Sequence, residues 1–204
     1  MSLPTPLTET KPPAYLIVGL SGVTNGGKTT LSKKLAAHYL RGVVEILLLD
    51  DYFWTDTSKL EYVEELNHWD FDQMQALDFD RFYRDVMAKI DKFTSTPNST
   101  HPHILILDGF LLFNEPRLLS LCHLRYDFTL PYEVAKHRRA TRVYDPPDVP
   151  GYFDRVAWPA YLKHSREIEA LKRKEGIETI DGMEDGEKIF HRVLKDIECA
   201  LSKS

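Results

Sequence analysis

Short unbroken apolar runs alternate with amphipathic stretches along most of this chain. Tyr15 to Leu20 is aliphatic and passes straight into glycine-rich sequence, which predicts a buried strand rather than a helix. From Lys28 the apolar residues return at helical period, with Leu31, Leu35 and Tyr39 on one side and Lys33, Lys34 and His38 on the other, until Gly42 closes the segment. Val43 to Leu49 is apolar without alternation, as expected of a strand covered on both faces, and it ends on Asp50 and Asp51. Strand, loop, helix and strand make a βαβ unit. Tyr52 to Leu77 is aromatic and acidic with weak periodicity, so it reads as a functional loop region without an assigned element. Phe79, Phe82, Val86, Ile90 and Phe93 then predict an amphipathic helix over Asp80 to Lys92, and Thr94 to Thr100 a surface linker. Further strands are expected at Ile104 to Asp108, Arg125 to Leu130 and, more weakly, Ile177 to Ile180. Helices are expected at Arg117 to Cys122, Tyr132 to Tyr144, Asp154 to Lys174 with a break or restart near Pro159, and Glu187 to Leu201. The alternation implies an α/β fold, a five-stranded parallel sheet with helices on both faces, and it contains no internal repeat.

Composition narrows the classes. The 204 residues are 43% hydrophobic and 28% charged, enough apolar material for one core. A formal net charge of -5 excludes the global positive field that nucleic acid or an anionic membrane would require, so any anion site must be local. Ile104 to Leu107 and Leu111 to Phe113 are separated by Asp108, far short of the roughly 18 apolar residues of a membrane span. Residues 1–13, rich in Pro and Thr, carry no apolar signal core and are expected to be a disordered tail; 14–204 form a single domain, cytoplasmic or nuclear in location. Cys122 and Cys199 are expected to be core thiols, and His101 and His103, with no third ligand nearby, no metal pair.

Chemistry enters at Gly22-Val23-Thr24-Asn25-Gly26-Gly27-Lys28-Thr29-Thr30, a complete Gly-x-x-x-x-Gly-Lys-Thr phosphate-loop pattern lying between a predicted strand and the first turn of a predicted helix. Glycines let the backbone wrap a phosphate, successive N–H groups and the helix N-terminus supply donors, Lys28 reaches the terminal phosphates, and the Thr29 hydroxyl suits Mg²⁺. A nucleoside triphosphate, ATP or GTP, is the natural ligand. Ile104 to Asp108 could place a second carboxylate at the same sheet edge, a weaker pattern on its own.

A phosphate loop does not by itself separate a kinase from a GTPase, a motor or a nucleotide-gated binding protein. The chain lacks an Asn-Lys-x-Asp element for guanine. It does carry Asp51 at the end of the second strand, where a carboxylate can accept the proton of an attacking hydroxyl and help hold Mg²⁺; one of Asp50 and Asp51 is expected to be a plain strand-to-loop junction. Lys136 to Arg142 is a dense basic run. On a helix Arg138 and Arg142 share a face while Arg139 points about 100° away, and the stiff Asp145 to Gly151 turn that follows suits a lid.

Taken together, Gly19 to Thr30, Asp50-Asp51-Tyr52-Phe53, Asp108 to Phe113, Arg138 to Tyr144, Pro146-Pro147-Asp148 and Pro150 to Asp154 resemble the nicotinamide riboside kinases, members of the uridine-kinase-like P-loop kinases, over roughly residues 14 to 200. The resemblance implies a P-loop kinase fold with a basic lid and ATP-dependent phosphorylation of the 5'-hydroxyl of nicotinamide riboside, with nicotinic acid riboside as a further acceptor. It also implies Asp51 as catalytic base and, with Thr29, as Mg²⁺ contact; Asp51, Tyr52, Phe53 and Trp54 as a substrate wall; and Trp69, Asp70, Arg139 and Tyr144 at the acceptor. Arg138 and Arg142 would hold ATP phosphates, and Asp181, Gly182 and Met183 would lie near the adenine. A quaternary pyridinium suits ring faces such as Trp69 and Tyr144, and a carboxylate such as Asp70 suits the ribose hydroxyls. The family carries Ser at Gly26, Glu at Asp108 and usually Tyr at Trp69. The expected partner is a small nucleoside, not nucleic acid or membrane, and the assembly a monomer or weak homodimer. A uridine, cytidine or other small-metabolite kinase, and a nucleotide-gated binding protein with little catalysis, remain alternatives.

Overall fold

The computed structural model describes residues 15–95 and 102–202; the tail expected over 1–13, most of the linker expected over 94–100, and His101 lie outside them. The chain runs β1 (Tyr15–Gly22), α1 (Lys28–His38), β2 (Val44–Leu48), β3 (Glu61–Val63), β4 (His68–Asp70), α2 (Phe79–Ser95), β5 (His103–Asp108), α3 (Pro116–Leu121), β6 (Leu124–Thr129), α4 (Tyr132–Ala140), α5 (Trp158–Glu175), β7 (Glu178–Asp181) and α6 (Gly186–Ser202). Five strands form one parallel sheet in the order β2-β5-β1-β6-β7, and β3 and β4 form a separate antiparallel hairpin.

Alternation along β1 divides the core. Leu16, Val18 and Leu20 face α1 and α6, where Leu31, Leu35, Phe190 and Val193 are buried against them. Ile17, Leu105 and Leu107 face the other way, onto Phe82 and Val86 of α2, Leu118 of α3 and Ile168 of α5. Each such aliphatic side chain contributes about 1.5–3 kcal/mol on burial. Among the described residues no helix is long and apolar enough to cross a membrane.

Two expected boundaries move. The helix that starts at Tyr132 ends at Ala140 rather than Tyr144, because the Thr141 hydroxyl turns back onto the Arg138 carbonyl and Arg142 N–H bonds the Arg139 carbonyl, closing the turn ahead of Asp145-Pro146. Arg142 therefore leaves the helix and does not share a helical face with Arg138. The stretch around Pro159 opens with a π-turn over Phe153–Ala157 that runs on without a break into α5, with Pro159 in its first turn.

All five parallel strands end on one edge. Register places Asp108 of β5 opposite both Leu20 of β1 and Leu48 of β2, so the phosphate loop, Asp108 and the Asp50 turn converge there.

Candidate active site

The loop from Gly22 to Lys28 leaves the central strand and closes on itself. Gly22 has φ +102°, and a Cβ there would lie 2.2 Å from the Phe128 carbonyl oxygen, so no other residue fits without moving β6. Val23 turns inward, fully buried beside Leu130, Ala135 and Tyr152, and donates its N–H to that same carbonyl at 2.8 Å. Gly27, at φ +106°, caps α1. Lys28 Nζ donates to the carbonyls of Gly22 and Val23 at 2.9 and 2.7 Å. Burial pulls its ammonium below the ordinary lysine range, while Asp108, Asp50 and Asp127 oppose that shift.

A cleft of about 990 Å³ opens from this loop. That is at the upper end of small-molecule sites and has room for two ligands side by side. Its phosphate end is lined by Thr24, Asn25, Gly26, Gly27, Lys28, Thr29 and Thr30 with Arg138 and Arg142; its other end by Phe53, Trp54, Trp69, Phe71 and Tyr144. The expected phosphate-loop set thus lines the cleft except Gly22, the last residue of β1, and Val23, which is buried in the core.

Three expected acceptor residues do not line the cleft. Asp51 does not face the cleft; Asp50 does. Leu49 to Tyr52 is a single 3₁₀ turn in which residues three apart eclipse, so Leu49 and Tyr52 both point into the core and the two acids between them diverge. The Asp50 carboxylate lies 3.7 Å from the Arg142 guanidinium, whereas the Asp51 carbonyl accepts a bond from Arg81 at the exposed side. Desolvation by the cleft wall raises the Asp50 carboxyl above its usual range, Lys28 opposing. Tyr52 is buried edge-on against Phe82 with its hydroxyl on Asp85 at 2.7 Å, so it is core, not substrate wall. Asp70 likewise turns away: its oxygens accept from the Asp72 N–H at 2.8 Å and Gln73 Nε2 at 2.6 Å, closing the turn after β4. Asp72 takes its place on the cleft, buried, with its carboxyl raised by desolvation and Arg139 opposing.

Arg139, 7% exposed, joins the two sides. It donates to both oxygens of Asp148 at 2.6 and 3.0 Å and approaches both oxygens of Asp72 at 3.4 and 3.3 Å. Phe53, Trp54, Trp69 and Tyr144 line the cleft. Trp69 rests edge-on against Tyr62 of the hairpin at 4.7 Å, and the Tyr144 ring lies under the guanidinium groups of Arg139 and Arg142 at 4.7 and 5.1 Å. Arg138 bridges the Asn25 and Gly182 carbonyls at 3.3 and 3.1 Å. Gly182 packs on the phosphate loop, where a Cβ would lie 2.7 Å from the Gly26 carbonyl oxygen; Asp181 spends a carboxylate oxygen on the Met183 N–H, and the Met183 side chain is exposed.

Sequence reasoning missed Asp50, Phe71 and Asp72 and gave Asp148 no role. Asp72 and Phe71 carried a usable cue, since Asp70 followed by a carboxylate two residues on and Gln73 is a turn-closing pattern that uses up the first acid. Thr29, Asp50 and Asp108 present only oxygen donors to the phosphate end, a hard set that fits Mg²⁺. Asp108 is buried and accepts from the Ser32 hydroxyl at 3.2 Å, which fixes one oxygen and orients the other.

No protein-family model matches the chain. Among solved structures it resembles thymidylate kinase from Candida albicans, with a TM-score of 0.60 and 15% identity over 91% of this chain and 92% of that one. It also resembles shikimate kinase from Acinetobacter baumannii, at TM-score 0.52 and 16% identity over 91% and 94%. These likenesses establish the P-loop kinase fold. In sequence it is 36% identical to nicotinamide riboside kinase 1 of Mus musculus over 197 residues, covering 92% of this chain and 96% of the relative. It is 38% identical to nicotinamide riboside kinase 2 of Homo sapiens over 199 residues, covering 91% and 82%. With a phosphate loop, a cleft acid and an aromatic chamber in one groove, and with identity at this level over nearly the whole length, the chain belongs to the nicotinamide riboside kinase family.

Proposed function

We propose that this protein phosphorylates the 5'-hydroxyl of nicotinamide riboside, and of nicotinic acid riboside, with ATP as donor, a step in NAD synthesis. The observation that carries the reading is that Asp50 lines the same cleft as the phosphate loop and the aromatic side chains. There a raised carboxyl is a competent base: it accepts the hydroxyl proton as the acceptor oxygen bonds to the γ-phosphorus and ADP leaves. Lys28, Arg138 and Arg142 offset charge on the transferring group, and the backbone N–H groups of the loop hold the phosphates in line. Mg²⁺, bound through Thr29, Asp50 and Asp108, would supply charge neutralisation between the phosphates.

At the other end, Trp69, Phe71 and Tyr144 offer electron-rich faces to a pyridinium, each worth on the order of 1 kcal/mol. Asp72 and Arg139 present an acceptor and donors to the ribose hydroxyls, the part first expected of Asp70. Relatives named for this activity, 36–38% identical, support the same assignment. The test is ADP release from Mg²⁺-ATP with nicotinamide riboside, nicotinic acid riboside, uridine, cytidine or no acceptor. Turnover on the pyridine ribosides alone is the expected result; turnover on uridine or cytidine alone would transfer the protein to the pyrimidine nucleoside kinases.

A further inference from the structure

The phosphate loop binds phosphate through its backbone, which leaves the side chains between its two glycine ends free for other work. Val23 goes into the core and Gly26 has none, but Thr24 and Asn25 face the cleft. Asn25 is held at φ +57°, a left-handed conformation that glycine would adopt without strain. Its side chain has a definite use. Asn25 Nδ2 donates to the Tyr144 hydroxyl at 3.0 Å and to Thr24 Oγ1 at 3.2 Å, and Thr24 Oγ1 lies 3.3 Å from the same tyrosine hydroxyl. The Tyr144 ring, covered by Arg139 and Arg142, is thereby tied across the cleft from 119 residues away in sequence. Those two arginines reach Asp72, Asp148 and Asp50.

We propose that Asn25 and Thr24 are acceptor-positioning residues: they anchor the Tyr144 hydroxyl, setting the ring and the 141–150 segment against the acceptor, so that the nucleotide loop and the acceptor chamber are mechanically one unit. The acceptor part of this rests on the functional reading above, in which Tyr144 faces the base of the nucleoside. Backbone placement of the loop does not depend on the Asn25 side chain, because Arg138 holds the Asn25 carbonyl.

The experiment compares Asn25→Gly, Tyr144→Phe and the double variant with the parent protein. Tyr144→Phe keeps the ring and removes the whole anchor, while Asn25→Gly keeps the backbone conformation and removes the Asn25 arm, leaving Thr24 Oγ1 on the tyrosine hydroxyl. Two quantities are read: amide hydrogen exchange across residues 141–152, and KM for nicotinamide riboside and for ATP separately. The anchor predicts faster exchange in both variants, a KM for the riboside raised about three- to tenfold, as loss of a neutral hydrogen bond gives, an ATP KM changed much less, and a double variant no worse than Tyr144→Phe alone. Unchanged exchange in both variants overturns the anchor. Faster exchange with an unchanged riboside KM overturns the coupling to the acceptor, as do additive losses in the double variant. If the parent protein does not turn over nicotinamide riboside, the functional reading and the acceptor role fall together, and exchange alone then decides whether the anchor exists.

Discussion

At the residue scale the 3₁₀ turn after β2 makes a sharp prediction. Asp50→Asn should lower kcat by about 10²-fold or more while leaving ATP binding intact, because the base is lost and the phosphate loop is not. Asp51→Asn, whose side chain faces away from the cleft, should stay within a few-fold of the parent protein. Steady-state kinetics with nicotinamide riboside decide both, and equal losses in the two variants would refute the assignment of the base. Cys122 is buried with its thiol pushed up to about 12, so thiol reagents should modify Cys199 in the native protein and reach Cys122 only on unfolding, a difference that mass spectrometry of labelled peptides reads directly. Residue chemistry was legible in part. The loop glycines, Lys28 and Thr29 announce themselves by type and spacing, whereas Asp50 against Asp51, and Asp72 against Asp70, turn on which way a carboxylate points within one turn of backbone, and neighbouring acids of the same type carry no mark of direction.

Elements are held by packing that periodicity reveals well. Phe82 of α2 is fully buried against the sheet, and Phe82→Ala should destabilise the fold by about 3–5 kcal/mol in denaturant titration. The tie between α5 and β6 is different in kind. Lys172 Nζ sits 3.1 Å from Asp127, a buried acid at the end of β6 whose carboxyl burial raises and Lys172 lowers. Because the folded pKa of Asp127 lies above its unfolded value, ionising it costs stability as pH rises through that interval, and Lys172 reduces the cost. Lys172→Met should therefore lose about 3 kcal/mol near neutral pH and clearly less at acid pH, as the raised carboxyl takes up its proton; a loss independent of pH would show that the pair contributes only packing. Long elements such as α2 and α6 were readable because many residues repeat one pattern. The β3–β4 hairpin spans three residues a strand, too few for any period to emerge, and its pairing is closed from within by Trp69 packing on its cross-strand partner Tyr62. The early end of α4 likewise depends on a hydroxyl folding back onto a carbonyl.

At the scale of the whole molecule, an acidic chain with net charge -5 concentrates Lys28, Arg138 and Arg142 at one end of a single cleft. Anion binding is therefore local, and a ligand that bridges the loop, Arg138 and the 181–183 turn should stabilise the entire sheet edge. With Mg²⁺-ATP at about a hundred times its dissociation constant, linkage contributes about 2.7 kcal/mol, so the melting midpoint should rise by about 5–10 °C; no shift with ATP would contradict nucleotide binding at the loop. What sequence alone determined is whatever depends on local chemistry and on repetition: the alternation of buried strands and amphipathic helices that makes a parallel α/β sheet, and a phosphate loop announced by the type and spacing of its residues. The tertiary structure alone decided the strand order β2-β5-β1-β6-β7, which brings Asp108 between β1 and β2, and the partnership of Asn25 with Tyr144, Asp72 with Arg139 and Asp50 with Arg142. Those contacts join residues far apart in the chain, and their energies exist only once the sheet has placed every strand end on one edge.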